Sequence, residues 1–295
     1  MRFTAFVLLL ASPLLAQSTL QQQIRSIAAD ARGKVSVACA LPDSNLNCDL
    51  NPHAHPPMQS VFKLPVAITV LHQVEENKFT LDQPVRFLKS DRILPHTYSP
   101  LQEKYPEADV DVPLRELLRL AVSISDNAAA DMLLRVVGGP AAVDAYIASL
   151  GVTGLHLRDG EDGLHRAIKI QYRNWFEPAG AVQLLRRISD NSPLNPEHTK
   201  LLLGWMEETP NAPHRIKGEL PPGTVVAHKT GSSGTENGMA PATNDIGLIT
   251  LPDGRRLAIA IFVSDSKADE AVRDQVIARI AKAAYDEAAK AGPRP

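Results

Sequence analysis

Strand-like segments occur only near the two ends of this chain, and the long stretch between them is helical. A hairpin of two strands is predicted at about 34–50, and three strands follow Leu220, the last two joined by a turn at Asp253-Gly254. One sheet built from both termini requires the helical middle to be inserted between the second and third strands. The predicted fold class is α/β, with a five-stranded antiparallel sheet flanked by helices and an inserted all-α domain.

This layout divides the chain into two expected units. Residues 17–55 and 210–295 form the α/β domain, and residues 56–209 form the all-α domain. Within the insertion, residues 156–177 show no clear period. A loop this long inside a compact domain is uncommon and is usually functional, so we expect part of the site there.

The first sixteen residues have the pattern of a cleaved export signal. MRFTAFVLLLASPLLA combines a basic start at Arg2, an apolar run too short to span a bilayer, and a small residue before Gln17. No cysteine follows that could carry a lipid anchor, so we expect a periplasmic or secreted product without a membrane anchor. The net charge of −2 gives no electrostatic reason to expect nucleic acid or an anionic membrane as a partner.

The chain has two cysteines, Cys39 and Cys48, which flank the turn sequence PDSN of the predicted hairpin. An even loop that pairs Leu41 with Leu46 also pairs the two cysteines. Directly opposed residues of an antiparallel pair lie close enough for a disulfide. Two free buried thiols are the alternative, but an oxidising destination and the matched register favour a disulfide.

Ser60 and Lys63 lie three residues apart at the start of an amphipathic run, QSVFK. On a helix these positions share a face, so the hydroxyl and the ammonium can approach each other. A lysine shielded from water can take the serine proton, and the free N–H groups of a helix N-terminus favour the negative charge that develops. Taken alone, Ser-x-x-Lys also occurs on many solvated helices.

Two further motifs follow along the chain. SDN offers the hydroxyl of Ser125 to relay a proton and the amide of Asn127 to hold a carbonyl group, although alone it is more typical of a helix N-cap. KTG ends a predicted strand, where Lys229 and Thr230 can bind a carboxylate and Gly231 lets a ligand approach the strand closely. By itself this second motif is a common strand end.

In this order and at these separations, S-x-x-K, S-D-N and K-T-G are the set found in class A β-lactamases and penicillin-binding proteins. The chain resembles this penicillin-recognising serine superfamily over essentially its whole mature length. The resemblance implies the serine β-lactamase/D,D-peptidase fold, small-molecule β-lactam substrates and no metal or cofactor. It implies catalytic roles for Ser60, Lys63, Ser125 and Lys229, and substrate-binding roles for Asn127 and Thr230.

The irregular segment 156–177 separates the members of this superfamily. Its GEDGLH sequence looks like the Glu-x-x-Leu-Asn element of the class A Ω loop, with Glu161 at the glutamate and His165 where asparagine is usual. The resemblance makes Glu161 the catalytic group that activates water against the acyl-enzyme, whereas the alternative is an exposed loop carboxylate. LHQVEENK, QYRNW, LPPGTVVAHKTGSSG and ATNDIGLITLPDGR are similar to the PER-type branch of class A enzymes, which also tends to carry histidine at the position of His165. That branch implies extended-spectrum activity on bulky cephalosporins.

The same resemblance implies further substrate-binding residues around the cleft. Ser232 would add its backbone N–H, with that of Ser60, to an oxyanion hole. Arg215 matches the position from which some class A enzymes place an arginine beside the substrate carboxylate, and Tyr98 matches the aromatic residue at the cleft mouth. A solvated arginine and a partly buried loop aromatic are the alternatives for these two. His165 completes the expected substrate-binding set.

His53 and His55 in NPHAHPP form a conceivable metal pair. No cysteine or carboxylate cluster accompanies them in the sequence, so a solvated loop is the favoured interpretation. We therefore expect no metal site at this pair. Separately, we expect an enzyme without a cofactor, as the resemblance implies, and a monomer.

Two other functions share these motifs. A cell-wall D,D-peptidase would use Ser60, Lys63, Ser125 and Lys229, and Glu161 in its loop is the feature against it. A β-lactam-binding sensor domain would need a membrane segment or partner domain, and none is visible after the export signal. The sequence therefore predicts a class A serine β-lactamase that hydrolyses penicillins and cephalosporins and gives antibiotic resistance.

Overall fold

A computed structural model of the chain describes residues 19–95 and 97–290, so the export signal predicted for residues 1–16 lies outside the described residues. The helices are α1 (Leu20–Ala28), α2 (Lys63–Glu75), α3 (Pro100–Lys104), α4 (Leu114–Arg119), α5 (Asn127–Val137), α6 (Pro140–Ser149), α7 (Glu161–Leu164), α8 (Pro178–Asp190), α9 (Pro196–Glu207) and α10 (Glu270–Lys290). The strands are β1 (Lys34–Ala40), β2 (Pro84–Phe87), β3 (Val110–Pro113), β4 (Leu155–His156), β5 (Trp175–Phe176), β6 (Val226–Ser232), β7 (Ala240–Thr250) and β8 (Arg256–Ser266).

The main sheet is antiparallel and is built from both ends of the chain, as predicted. Its strand order is β1-β8-β7-β6, so the N-terminal strand pairs with the C-terminal one and Val37 lies opposite Ile261. The strand that ends in the KTG motif, β6, pairs with β7 and places Thr230 opposite Asp245. The α/β class and the antiparallel sheet are therefore confirmed.

The fifth strand of the predicted sheet is reduced to one antiparallel bridge. Val37 and Leu50 exchange backbone hydrogen bonds of 2.7 and 3.0 Å, and the residues before Leu50 form no further ladder. The side chains of Ser44 and Asn47 accept hydrogen bonds from the backbone N–H groups two residues ahead. Such local bonds compete with strand pairing, which explains why the ladder does not extend.

The register predicted for this hairpin is nevertheless correct. Pairing Val37 with Leu50 is the same alignment that pairs Cys39 with Cys48. These cysteines form a disulfide, with a Cα–Cα distance of 5.8 Å. The alternative of two free thiols is therefore wrong.

Both faces of the sheet are buried, and each contributes to its own apolar cluster. On β8, Ile259 and Ile261 pack with α1 and α10, whereas Ala260 and Phe262 pack with α2, α5 and the other helices of the insertion. Side chains alternate between the faces of a strand, so a strand buried on both faces reads as a continuous apolar run, here LAIAIFV. The cluster that contains Ala260 and Phe262 includes the apolar residues of α2, so the segment that follows Ser60 is fixed in the core.

The inserted helical part contains two short ladders that the sequence did not predict. One joins β2 to β3, and the other joins β4 to β5 by pairing His156 with Trp175. The second ladder closes the neck of the irregular segment 156–177, which we call the Ω loop. Within this loop lie α7 and a 3₁₀ helix (Ile168–Arg173). Among the described helices, none has the length and apolar content needed to cross a membrane.

Candidate active site

A cavity of about 610 Å³ lies where the nucleophile segment, the SDN turn, the Ω loop and β6 meet. It brings together every predicted site residue except Lys63 and Lys229, which are buried directly behind it. The predicted residues that line it are Ser60, Tyr98, Ser125, Asn127, Glu161, His165, Arg215, Thr230 and Ser232.

Ser60 lies in a 3₁₀ turn (Gln59–Phe62) that leads into α2, rather than in the first turn of the α-helix itself. The residue before it, Gln59, is buried and has a φ of 49°, an uncommon conformation for a residue with a side chain. Strand β6 packs against this turn at Gly231, where an added Cβ would lie 2.5 Å from the carbonyl oxygen of Met58. The absence of a side chain at Gly231 therefore lets the turn that carries Ser60 pack against β6. The sequence had suggested instead that Gly231 makes room for a ligand.

Lys63 is fully buried, and its ammonium contacts four acceptor atoms around the cavity. Its Nζ lies 2.7 Å from the carbonyl oxygen and 3.4 Å from Oγ of Ser125 and 2.9 Å from Oε1 of Glu161, and it also donates to Oδ1 of Asn127. Among the described residues no hydrogen bond joins it to Ser60, because an ammonium has three donors and these acceptors already occupy them. The direct Ser60–Lys63 contact expected from helical spacing is therefore absent, and Ser60 Oγ instead donates to Glu161 Oε1 over 3.2 Å.

Glu161 is the first residue of α7 and is only 2% exposed, so the alternative of an exposed loop carboxylate is wrong. Burial alone would raise its pKa. The charge of Lys63 and the hydrogen bonds from His165 and Lys63 outweigh burial and lower the pKa of Glu161 to about 2. The side chain is therefore a carboxylate at neutral pH and can accept a proton.

Asp131 on α5 holds Glu161 in place through the backbone. Its two carboxylate oxygens accept the N–H groups of Glu161 and Asp162 over 2.7 and 2.9 Å, which caps the N-terminus of α7 from another helix. Gly160 makes the contact feasible, since a Cβ there would lie 2.4 Å from the Asp131 carboxylate. Burial, supported by the charge of Glu161, raises the pKa of Asp131 to about 6.

His165, at the end of α7, lies beside the catalytic candidates. Its Nε2 is 3.2 Å from Oε2 of Glu161 and 3.4 Å from Nδ2 of Asn127. The imidazole therefore contacts the Glu161 oxygen that does not face Ser60. This contact positions the imidazole to orient the Glu161 carboxylate.

The SDN motif is both a helix N-cap and a part of the candidate site, and different residues of the motif fill the two roles. Asp126 caps α5 by accepting the N–H of Ala129 over 2.9 Å, as expected of a helix N-cap. Ser125 precedes it with a φ of 64° and directs its Oγ to the cavity, where Lys229 Nζ donates to it over 2.9 Å. Burial, with the positive charge of Lys63, lowers the pKa of Lys229 well below its ordinary value.

Arg215 is buried and only 2% exposed, so the alternative of a solvated arginine is wrong. Its Nε donates to Asp274 on α10 over 2.7 Å, and its Nη2 donates to Oγ of Ser232 over 2.9 Å. Its Nη1 donates to the carbonyl oxygens of Gly231 and Asn244. Arg215 therefore braces the end of β6 and presents its charge to the cavity beside the Ser232 hydroxyl.

Tyr98 is 52% exposed and lines the mouth of the cavity. Its carbonyl oxygen accepts the backbone N–H of Asn127 over 3.3 Å, which connects the mouth to the SDN turn. Thr230 is buried and Ser232 is exposed where β6 borders the cavity.

Sequence reasoning missed Asp131 and Asp274, the acidic partners of the Ω loop and of Arg215. Both lie on amphipathic helices, where a single carboxylate has no local pattern that marks it as part of a site. Only the tertiary arrangement brings Asp131 to the N-terminus of α7 and Asp274 to Arg215.

The histidine pair outside the cavity is solvent-exposed. His53 and His55 are 74% and 54% exposed and lie 2.8 and 3.2 Å from the two carboxylate oxygens of Glu177. Within residues 19–95 and 97–290, no group of three or more His, Cys, Asp or Glu side chains has an arrangement that could hold a metal ion.

Fold and site together define a serine hydrolase. A serine hydroxyl contacts a buried carboxylate, two buried lysines surround a second serine, and an arginine stands beside the strand that borders the cavity. These are the parts needed to form an ester on Ser60 and to deliver a proton to a leaving group.

Residues 19–288 match the model of the β-lactamase enzyme family. The chain is 41% identical to the extended-spectrum β-lactamase PER-1 of Pseudomonas aeruginosa, over 96% of this chain and 90% of that protein. It is 33% identical to β-lactamase VEB-1 of the same organism, over 90% of this chain and 88% of that protein.

Solved structures agree in fold. A β-lactamase from Chitinophaga pinensis DSM 2588 superposes with a TM-score of 0.87 at 46% identity, covering 91% of this chain and 99% of that one. The extended-spectrum β-lactamase TLA-1 superposes with a TM-score of 0.88 at 41% identity, covering 92% and 98%. The chain belongs to the β-lactamase enzyme family and is a β-lactam hydrolase.

Proposed function

We propose that the eleven predicted site residues act together as an extended-spectrum class A site, in which Ser60 forms an acyl-enzyme and Glu161 drives its hydrolysis. The observation that carries this proposal is the 3.2 Å contact between Ser60 Oγ and the buried carboxylate of Glu161. A D,D-peptidase needs the serine and the lysines, but not an ionised carboxylate at the nucleophile.

In acylation, Ser60 attacks the lactam carbonyl while its proton passes to Glu161 or to Lys63. The Ser60–Glu161 contact favours Glu161 in the free enzyme. Without Glu161, Lys63 takes the proton instead. Lys229 and Ser125, joined by a 2.9 Å hydrogen bond, form the route for a proton to the lactam nitrogen.

The backbone N–H groups of Ser60 and Ser232 form the proposed oxyanion hole. Asn127 and Thr230 bind the substrate amide and carboxylate, and Arg215 adds its charge through the Ser232 hydroxyl. Tyr98 flanks the entrance. In deacylation, Glu161 takes a proton from water, and His165 orients the carboxylate from its other oxygen.

The proposed substrates include bulky oxyimino-cephalosporins as well as penicillins. Support comes from the relatives whose names carry the extended-spectrum description, and from histidine at position 165. The imidazole of His165 differs from the carboxamide of asparagine in shape and in hydrogen-bonding groups. The Ω loop therefore cannot keep the internal hydrogen bonds that asparagine would make, and a rearranged loop leaves more room for a bulky side chain.

We further propose that the protein is exported to the periplasm, that it is a monomer, and that it confers antibiotic resistance. The signal pattern in residues 1–16 supports export. The exposed large apolar side chains among the described residues lie on four separate segments, at Leu88, Tyr98, Tyr172 and Val225, which supports a monomer.

Turnover of nitrocefin and of cefotaxime tests this function. We expect repeated turnover of both by the exported protein and none by Ser60→Ala. A single stoichiometric burst with nitrocefin would instead indicate a D,D-peptidase or a sensor domain. Negligible hydrolysis of cefotaxime beside rapid hydrolysis of a simple penicillin would refute the extended-spectrum part alone.

A further inference from the structure

The second half of the Ω loop is bonded to the far side of the main sheet. Tyr172, in the 3₁₀ helix of the loop, donates its hydroxyl to Oδ1 of Asp265 over 2.5 Å. Asp265 lies at the end of β8 and has a φ of 52°. Its other oxygen, Oδ2, accepts Lys34 Nζ over 2.9 Å, so the carboxylate is held from two sides.

The charges of this cluster suit a strong hydrogen bond. Burial would raise the pKa of Asp265, but the hydrogen bonds from Tyr172 and Lys34 outweigh it and lower that pKa. Burial and the bond to Asp265 raise the pKa of Tyr172, so its hydroxyl keeps the proton that it donates. Hydrogen bonds from a neutral donor to a carboxylate are shorter and stronger than those between neutral groups.

The neighbouring residue connects the same part of the loop to the nucleophile. Gln171 accepts the side-chain amide of Gln59 over 2.6 Å, and Gln59 directly precedes Ser60. Residues 171–172 therefore contact the nucleophile turn on one side and the end of β8 on the other. The first half of the loop is capped by Asp131 at the N-terminus of α7, and α7 lies against the 3₁₀ helix that carries Tyr172.

We propose that Tyr172 and Asp265 are positioning residues that hold the second half of the Ω loop to the sheet and thereby keep Glu161 and His165 aligned for deacylation. This inference rests on the proposed function of Glu161. Both residues act through the loop, because neither lines the catalytic cavity.

The position of the contact predicts which step depends on it. The residues that carry acylation lie outside the loop, on the 3₁₀ turn before α2, on α2, on the SDN turn and on β6: Ser60, Lys63, Ser125 and Lys229. Deacylation also needs a water molecule held by Glu161 and His165, both on the loop. A displacement of about 1 Å in such a site can cost on the order of a hundredfold in rate.

Tyr172→Phe tests the inference because it removes only the hydroxyl. Tyr146→Phe is a matched control, since the Tyr146 hydroxyl has no hydrogen-bond partner among the described residues. For Tyr172→Phe we expect deacylation of cefotaxime to slow by about two- to tenfold, with a smaller change in acylation. This is less than the full loss of a hydrogen bond to a charged group, because Tyr172 acts on Glu161 only through the loop. Tyr146→Phe should match the wild type in the ratio of the two rates.

Two further measurements separate positioning from a general structural effect. Asp265→Asn weakens the contact by removing the carboxylate charge, and Tyr172→Phe removes the contact. The double variant should therefore slow deacylation no more than the stronger single variant. Amide hydrogen exchange in residues 160–173 should be faster in Tyr172→Phe than in Tyr146→Phe, whether or not the enzyme turns over.

Equal slowing of acylation and deacylation in Tyr172→Phe, or unchanged rates and exchange, would overturn the inference. If the wild type formed an acyl-enzyme without turnover, the proposed function would fail. The exchange measurement would then still decide whether Tyr172 and Asp265 hold the loop.

Discussion

Lys63 and Glu161 form a fully buried ion pair, and each group has several further polar partners. Lys63 also donates to Ser125 and Asn127, and Glu161 also contacts His165 and Ser60. A buried ion pair without such partners would cost more in desolvation than it gains in attraction. The network thus keeps an ionised carboxylate beside the nucleophile although Lys63 and Glu161 are both shielded from solvent.

Loss of charge on Lys229 should limit kcat/KM at alkaline pH. Because burial and the charge of Lys63 lower the pKa of Lys229, that lysine loses its charge at a lower pH than an ordinary lysine, whose pKa is about 10.4. A neutral Lys229 can neither attract a carboxylate nor donate the proton, so kcat/KM should fall with rising pH below that value.

Lys229→Arg separates this cause from other titrations, because arginine keeps its charge. We expect the alkaline limb of the pH profile to move to higher pH in the variant, even where its maximum rate is lower. An alkaline limb at the same pH in both proteins would contradict the assignment to Lys229.

The second prediction concerns His165. Its Nε2 contacts Glu161 over 3.2 Å, so His165→Ala should slow deacylation by about tenfold or more, the range of a lost hydrogen bond to a charged group, and should slow acylation less. His165→Asn should restore part of the rate, because the amide offers a donor on a shorter side chain. Single-turnover kinetics with a simple penicillin measure both steps, and an unchanged deacylation rate in His165→Ala would refute the role.

At the scale of elements, a short turn and two loops place the chemistry, and the regular helices and strands support them. The sequence predicted the long helices and the central strands, because their apolar periods extend over many residues. It did not predict the 3₁₀ turn at Ser60 or the π-helical turn (Leu120–Ile124) that leads to Ser125. Neither has a distinct period, since each forms where tertiary contacts hold a strained backbone.

Contacts between residues far apart in the sequence were also not predicted by local patterns. Recognition of three motifs predicted which residues share the cavity, although helical spacing predicted the wrong partner for Ser60. The bonds of Asp131 to α7 and of Asp274 to Arg215 join residues 30 and 59 positions apart. No local pattern encodes such separations, whereas the PDSN turn encoded the Cys39–Cys48 pairing because it is local.

That disulfide gives an element-scale prediction. It closes a loop across nine positions, so replacing Cys39 and Cys48 with alanine should lower the free energy of unfolding by about 2–3 kcal/mol. β1 lies at the opposite edge of the sheet from β6, so kcat/KM should stay unchanged. Urea denaturation of the two proteins measures the first quantity, and loss of activity without loss of stability would contradict the expectation.

At the scale of the whole molecule, the site lies where two apolar clusters are joined by the sheet. One cluster lies under α1 and α10, and the other under the helices of the insertion. We propose that these clusters correspond to the two units expected from the sequence, residues 17–55 with 210–295 and residues 56–209. Ser60 and Glu161 then come from one unit and Lys229 from the other, so catalysis requires both to be folded and packed together.

In the division of labour that we propose, Ser60 carries the acyl group and Glu161 serves mainly to remove it. Mass spectrometry of the intact protein during reaction with penicillin tests this claim directly, with Ser60→Ala and Glu161→Ala beside the wild type. We predict no adduct on Ser60→Ala, a lasting adduct on Glu161→Ala, and only a transient one on the wild type. Release of product by Glu161→Ala at the wild-type rate would contradict the account.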